Sequence, residues 1–166
     1  VINVLSGDLG ISIFSNLPVS KLIGQRLEPT LMLALCTTIF AVIVAVPIGV
    51  LAAWKAHTWI DRSVMVFAVM GFSVPVFVIG YILMWIFSLT LGWFPVQGYK
   101  PIGDGIGPFL LSIALPTLAL GLVYVALIAR MTRASVMEVL TEDYIRTARA
   151  KGASNRTILM KHALKN

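Results

Sequence analysis

Three long runs almost free of charge dictate what this chain can become. Residues 31–54 and 63–91 contain no Asp, Glu, Lys, Arg or His, and residues 109–130 contain only the closing Arg130. A helix rises about 1.5 Å per residue, so each run is long enough to cross a hydrocarbon core of roughly 30 Å. Lipid offers no water to backbone N–H and C=O groups, and a helix satisfies them within one segment. The expectation is an all-α, polytopic membrane protein with spans at about 31–54, 63–91 and 109–130. The composition agrees: 58% of the 166 residues are hydrophobic and 12% are charged, where a soluble domain carries about 25% charged residues.

The formal charge of +6 would suit a nucleic-acid partner, but its distribution does not, and none is expected. Ten of the thirteen Lys and Arg fall in two places: Lys55 and Arg62 between the first two runs, and eight from Arg130 onward. Membrane proteins mark their cytoplasmic side in this way. With three crossings, residues 1–29 and the 92–108 loop, which hold Lys21, Arg26 and Lys100, lie outside, and the tail lies in the cytoplasm. The sequence begins on Val, and no signal-peptide pattern is legible in its first residues. An exported N-terminal segment then needs an earlier span, so the expectation is a fragment missing at least one upstream helix.

Inside the runs, small residues and prolines carry the information. Thr37, Ala41, Ala45, Gly49 and Ala53 recur every fourth position. Lipid gives helices no hydrophobic reason to associate, and such a stripe lets backbones approach closely. Ala41, Ala45 and Gly49 are therefore assigned to helix packing, with Pro47 a possible bend. The second run contains G-F-S-V-P at 71–75. Pro75 cannot donate to the helix, so a kink is expected, with Ser73 and Pro75 beside it. Two readings of that kink stand: a transport pathway, or a plain structural bend. The third run holds Pro116 and Gly121, and its helix is expected to continue past residue 134 toward Leu140. Trp54, Trp59, Trp93 and Tyr99 suit the membrane–water boundary. Ile11, Ile13, Phe14 and Leu17 fit an interface segment or an ordinary loop equally well.

No catalytic set is legible. The seven carboxylates are scattered, and His57 and His162 have no partner at motif or metal spacing. Cys36 reads as a small buried hydrophobe. There is no Walker A sequence, and Gly103, Gly105 and Gly107 run into Pro108 instead of forming G-x-G-x-x-G. No cofactor, metal or enzymatic activity is expected, and the spans hold no acid or His for a proton relay.

The polar tail reads as two short helices broken at Gly152. Thr141 is the expected N-cap, and Glu142 and Asp143 sit where the helix dipole favours negative charge. Arg146, Arg149 and Lys151 follow, and Gly152 takes the left-handed position past the helix end. Ser154 caps a second helix running through Ile158, Leu159 and Leu164. A basic tail lying on anionic lipid is one reading, with each cation near the surface contributing about 1 kcal/mol. That reading would make the chain a scaffold or sensor subunit. A docking element for a partner groove is the other.

The tail also resembles a family. R-T-A-R-A-K-G is similar to the cytoplasmic "EAA" loop of ABC-importer permeases, whose pattern is Glu-Ala-Ala, three residues, then Gly. Arg146, Thr147 and Ala148 stand in the Glu-Ala-Ala places and Gly152 is the family Gly. Where the general pattern ends Ile-x-Leu-Pro, this chain has His162, Ala163, Leu164 and Lys165, and only the Leu matches. The dipeptide/oligopeptide branch is closer, through E-D-Y-I-R-T-A-R-A-K-G and H-A-L-K-N. T-L-M-L-A-L, A-R-M-T-R-A-S, E-V-L, the Ser-x-Pro of the second span and G-D-L-G at residues 7–10 also fit its order. The resemblance implies that residues 30–166 are part of a type-1 permease domain, covering family helices two to four and a coupling loop at 134–166. It lacks the first helix and the last two. It also implies Arg146, Thr147, Ala148 and Gly152 as ATPase-coupling positions. The implied partners are a second permease subunit, two ATP-binding subunits, an extracytoplasmic substrate-binding protein and membrane lipid. The branch carries dipeptides, oligopeptides, nickel or glutathione.

Overall fold

The computed structural model describes residues 9–154 and 157–159. Its helices are α1 (Val19–Trp54), α2 (Trp59–Ser73), α3 (Val76–Leu83), α4 (Ile106–Thr141) and α5 (Asp143–Ala150). α3 widens into a π-helical segment, Met84–Thr90, and a 3-10 turn, Ile102–Asp104, precedes α4. Among the described residues there is no β-strand; a single bridge between Ile11 and Pro18 closes a loop ahead of α1. The G-D-L-G motif falls partly outside the described residues, since Gly7 and Asp8 are not among them.

α1 begins at Val19, well before the uncharged run at residue 31. Residues 19–29, expected to precede the first span, thus already belong to its helix. The turn signal N-L-P ends at Pro18, and Lys21, Gln25, Arg26 and Glu28 after it are good helix formers. Charge ended the apolar run without ending the helix.

The second expected span is not one continuous helix. α2 and Val76–Thr90 meet at 100°, which is a break and not a kink. The residue before a proline is pushed out of the helical region, and Val74 is extended, with φ −96° and ψ 122°. Pro75 then starts α3 from its N-cap position. Two helices, α1 and α4, are long and apolar enough to cross a membrane alone, and a third crossing exists only if the bent pair forms one span.

α1 and α4 build the centre. Gly49 lies against Ala129 and Thr132, and Gly121 against Phe40. The residue numbers rise together on the two helices, so they run parallel. Thr37, Ala41, Ala45, Gly49 and Ala53 are all buried along this seam. Ala41 and Ala45 join Val125 and Ala129 in one cluster. Large apolar residues point the other way: Ile43 is 66% exposed and Trp85 63%. On α1 the small side chains face inward and the large ones outward, the reverse of a soluble core and suited to a helix whose outer surface meets lipid.

α4 carries on without interruption past Arg130 to Thr141. Pro108 falls in its first turn, where an N–H would have no helical partner anyway.

Candidate functional site

The end of α4 turns a corner into α5. Glu142, with φ −64° and ψ 147°, is the N-cap of α5. Thr141 is not the cap. It is the last residue of α4, and its Oγ1 donates to the Glu138 carbonyl at 2.7 Å. The long helix extends further than the expected start of the short one, and its final carbonyls claim the hydroxyl. Asp143 sits in the first turn of α5.

α5 stops through a paired hydrogen-bond cap. The Gly152 N–H donates to the Arg149 carbonyl at 2.9 Å, and the Ala153 N–H to the Ala148 carbonyl at 3.1 Å. This pattern needs a left-handed residue at the corner, and Gly152 has φ +85°. Ser154 then accepts the Thr157 N–H at 3.2 Å through its Oγ, as the start of a second helical turn. Leu164 and the H-A-L-K-N ending lie outside the described residues.

The elbow has two faces. Ile145, Ile158 and Leu159 are buried. Leu159 joins Ala53 of α1 and Val136 of α4, with Val50, Met137 and Leu140 packed around them. A small cavity of about 210 Å³ lies beneath, lined by Trp54, Leu140, Arg149, Ile158 and Leu159. The other face is open: Arg146, Thr147, Lys151 and Gly152 are exposed and Ala148 is half-buried. Arg146 reaches Asp143 at 3.4 Å between two exposed side chains, a pair of little energetic weight. The result is a small basic surface held on an apolar base that touches the ends of both central helices.

The other residues singled out from sequence lie elsewhere. Ala41, Ala45 and Gly49 are in the α1–α4 seam. Ser73 and Pro75 are exposed at the α2–α3 break, where the Ser73 Oγ donates to the Val69 carbonyl at 3.0 Å. At the end of the bundle away from the elbow, the Tyr99 hydroxyl donates to Glu28 Oε1 at 3.1 Å. Partial burial, and then the adjacent carboxylate, hold the Tyr99 phenol above its ordinary pKa.

One pair was missed by sequence reasoning. Asp61, in the first turn of α2, receives Arg133 of α4 through both Nε and Nη2, the latter at 2.7 Å. It also accepts the His57 N–H at 3.0 Å, which a turn with His57 at φ +65° aims at it. The Asp61 side chain is only 6% exposed. A signal existed: Asp61 is the one carboxylate between the first two runs, on the side of the membrane where the third run ends in arginines.

Comparison with known proteins bears on this geometry. Residues 45–166 match the family model described as "Binding-protein-dependent transport system inner membrane component". The chain is 52% identical over 164 residues to a probable peptide ABC transporter permease protein of Sinorhizobium fredii, covering 99% of this chain and 52% of the relative. It is 44% identical over 164 residues to a glutathione transport system permease protein of Pectobacterium atrosepticum, covering 99% and 51%. A putative peptide transport system permease protein of Brucella abortus is 42% identical over 164 residues, covering 99% and 52%. The chain thus spans about half the length of the curated relatives it matches.

Proposed function

Because the chain belongs to the family of binding-protein-dependent transport system inner membrane components, the permeases of ABC importers, we propose that it forms part of a peptide translocation pathway driven by separate ATPase subunits. The similarity over nearly the whole chain to peptide and glutathione permeases carries this reading. Residues 30–166 then form part of a type-1 permease domain, and residues 1–29 an extracytoplasmic segment. The chain sits in the cytoplasmic membrane, its N-terminal end outside and the elbow in the cytoplasm. Its partners are a second permease subunit, two ATP-binding subunits and an extracytoplasmic binding protein that selects a di- or oligopeptide. ATP hydrolysis takes place on the ATP-binding subunits, and this chain is a non-catalytic partner to them.

The mechanism is a two-state switch. ATP binding closes the paired ATPases, the exposed elbow face with Arg146, Thr147, Ala148 and Gly152 moves with them, and the bundle exchanges inward-open for outward-open packing. A ligand shifts such an equilibrium only through contacts that differ between the states. The elbow suits this role because its base is packed on the ends of α1 and α4, so force applied to it reaches the membrane helices.

The test is crosslinking in the full-length protein, with Cys36→Ala and Ala153→Cys, co-expressed with the neighbouring ATPase. A crosslink to the ATPase that changes on ATP binding is expected. A folded protein that gives no crosslink would refute the docking role and favour a scaffold or sensor whose basic tail binds lipid.

A further inference from the structure

Two arginines one turn apart on α4 hold opposite ends of α2. Arg133 grips Asp61 in the first turn. Arg130 places its guanidinium 5.2 Å from the centre of the Phe72 ring, in the last turn. Between them the helices are in close contact. Ala68 is buried, and a Cβ built on Gly71 would fall 2.6 Å from the Ala126 Cβ. A side-on, two-point arginine–carboxylate contact resists rotation as well as separation, and the arginine–ring contact adds attraction at the far end. Past the break α3 still lies on α4, but it carries no charged residue to clip it there. A Cβ on Gly80 of α3 would stand 3.9 Å from Ala119, and Phe77 and Tyr81 are mostly exposed.

We infer that Asp61 and Arg133 are positioning residues that make α2 and the elbow half of α4 one moving body, hinged at Val74–Pro75. The inference rests on the importer reading above. A clip at one end alone would let α2 pivot on α4. Held at both ends, α2 follows any displacement that the elbow imposes on α4. That displacement emerges at the first place where the backbone leaves the helical region, the extended Val74 before Pro75. The sequence-expected kink at Ser73 and Pro75 thereby becomes the output of the elbow, reached through an ion pair.

The experiment uses the full-length permease with Cys36→Ala, assembled with its partner permease and ATPases in lipid nanodiscs. One spin-label pair is Met70→Cys with Met131→Cys, at exposed sites on α2 and α4. The other is Met70→Cys with Tyr81→Cys, across the break. Between nucleotide-free and ATP-trapped states the first distance should stay fixed and the second should change. Asp61→Asn should free the first distance to change and lower substrate uptake per ATP hydrolysed about tenfold, within the span of ordinary coupling energies. The ATPases should still copurify, and Asp61→Glu should restore coupling. The inference is overturned if the 70–131 distance in the parent protein changes as much as the 70–81 distance, or if Asp61→Asn leaves uptake per ATP intact. Should Asp61→Asn fail to accumulate, the two distances in the parent protein decide alone. If the parent complex shows no ATP-driven uptake, the importer reading fails and takes this inference with it; failure of the inference alone leaves parental uptake intact.

Discussion

Gly49 and Gly121 both sit in the α1–α4 seam, yet a methyl group would meet different things at each. At Gly49 it would fall 2.6 Å from the Ala129 carbonyl oxygen and 2.7 Å from Thr132 Cβ, atoms fixed to a helix backbone. At Gly121 it would strike the Phe40 ring, the far end of a side chain that can rotate. At Gly24, also helical, nothing lies within 4 Å. Alanine improves helix propensity at all three by up to about 1 kcal/mol, while overpacking costs about 1–3 kcal/mol. Gly24→Ala should therefore raise the thermal midpoint of the purified full-length permease slightly. Gly49→Ala should lower it, and Gly121→Ala should fall between. Equal midpoints for Gly24→Ala and Gly49→Ala would remove the close-packing account of the seam. The stripe itself was readable in the sequence because a period of four on a helix always makes a face. Which glycine meets backbone and which meets a rotatable ring depends on the partner helix, which no local pattern describes.

The elbow is the element where a single bend decides the outcome. Nothing crowds Gly152, so its requirement is conformational: at φ +85° an L-residue with a Cβ loses about 1–2 kcal/mol, and Asn less than most. Gly152→Val should release the cap, let α5 run on and abolish ATP-dependent uptake, whereas Gly152→Asn should keep most of it. Uptake by Gly152→Val at the parental rate would show that the bend is dispensable. The position of this corner followed from Gly after a basic helix end. The start of α5 did not: Thr141 was the expected cap, and the outcome turned on how far α4 persists. The second span shows the same division. Pro75 announced a disturbance, but a gentle kink and a 100° break share one sequence, and the packing of Gly71 against Ala126 helps hold α2 in place up to the break.

The proposed orientation rests on the charge asymmetry along the chain. With Cys36→Ala as background, Ile13→Cys in the exposed loop before α1 should react with a membrane-impermeant maleimide on intact cells. Ala153→Cys should react only after permeabilisation. The reverse pattern would invert the proposed topology, and with it the assignment of the elbow to the ATPase side. The similarity to permeases of peptide and glutathione systems fits the apolar outer surface.

Residue order alone determined the membrane-spanning, all-helical character, the small-residue face of α1 and the turn at Gly152. Each rests on a local rule: uncharged length, helical period, or a backbone angle that glycine tolerates. Tertiary structure alone decided that α1 and α4 run parallel in contact, that the second apolar run breaks by 100° at Pro75, and that Arg133 reaches Asp61 across 72 residues of chain. Those outcomes depend on which surfaces meet, and an ion pair between helices leaves no spacing in the sequence because the intervening chain is free to be any length.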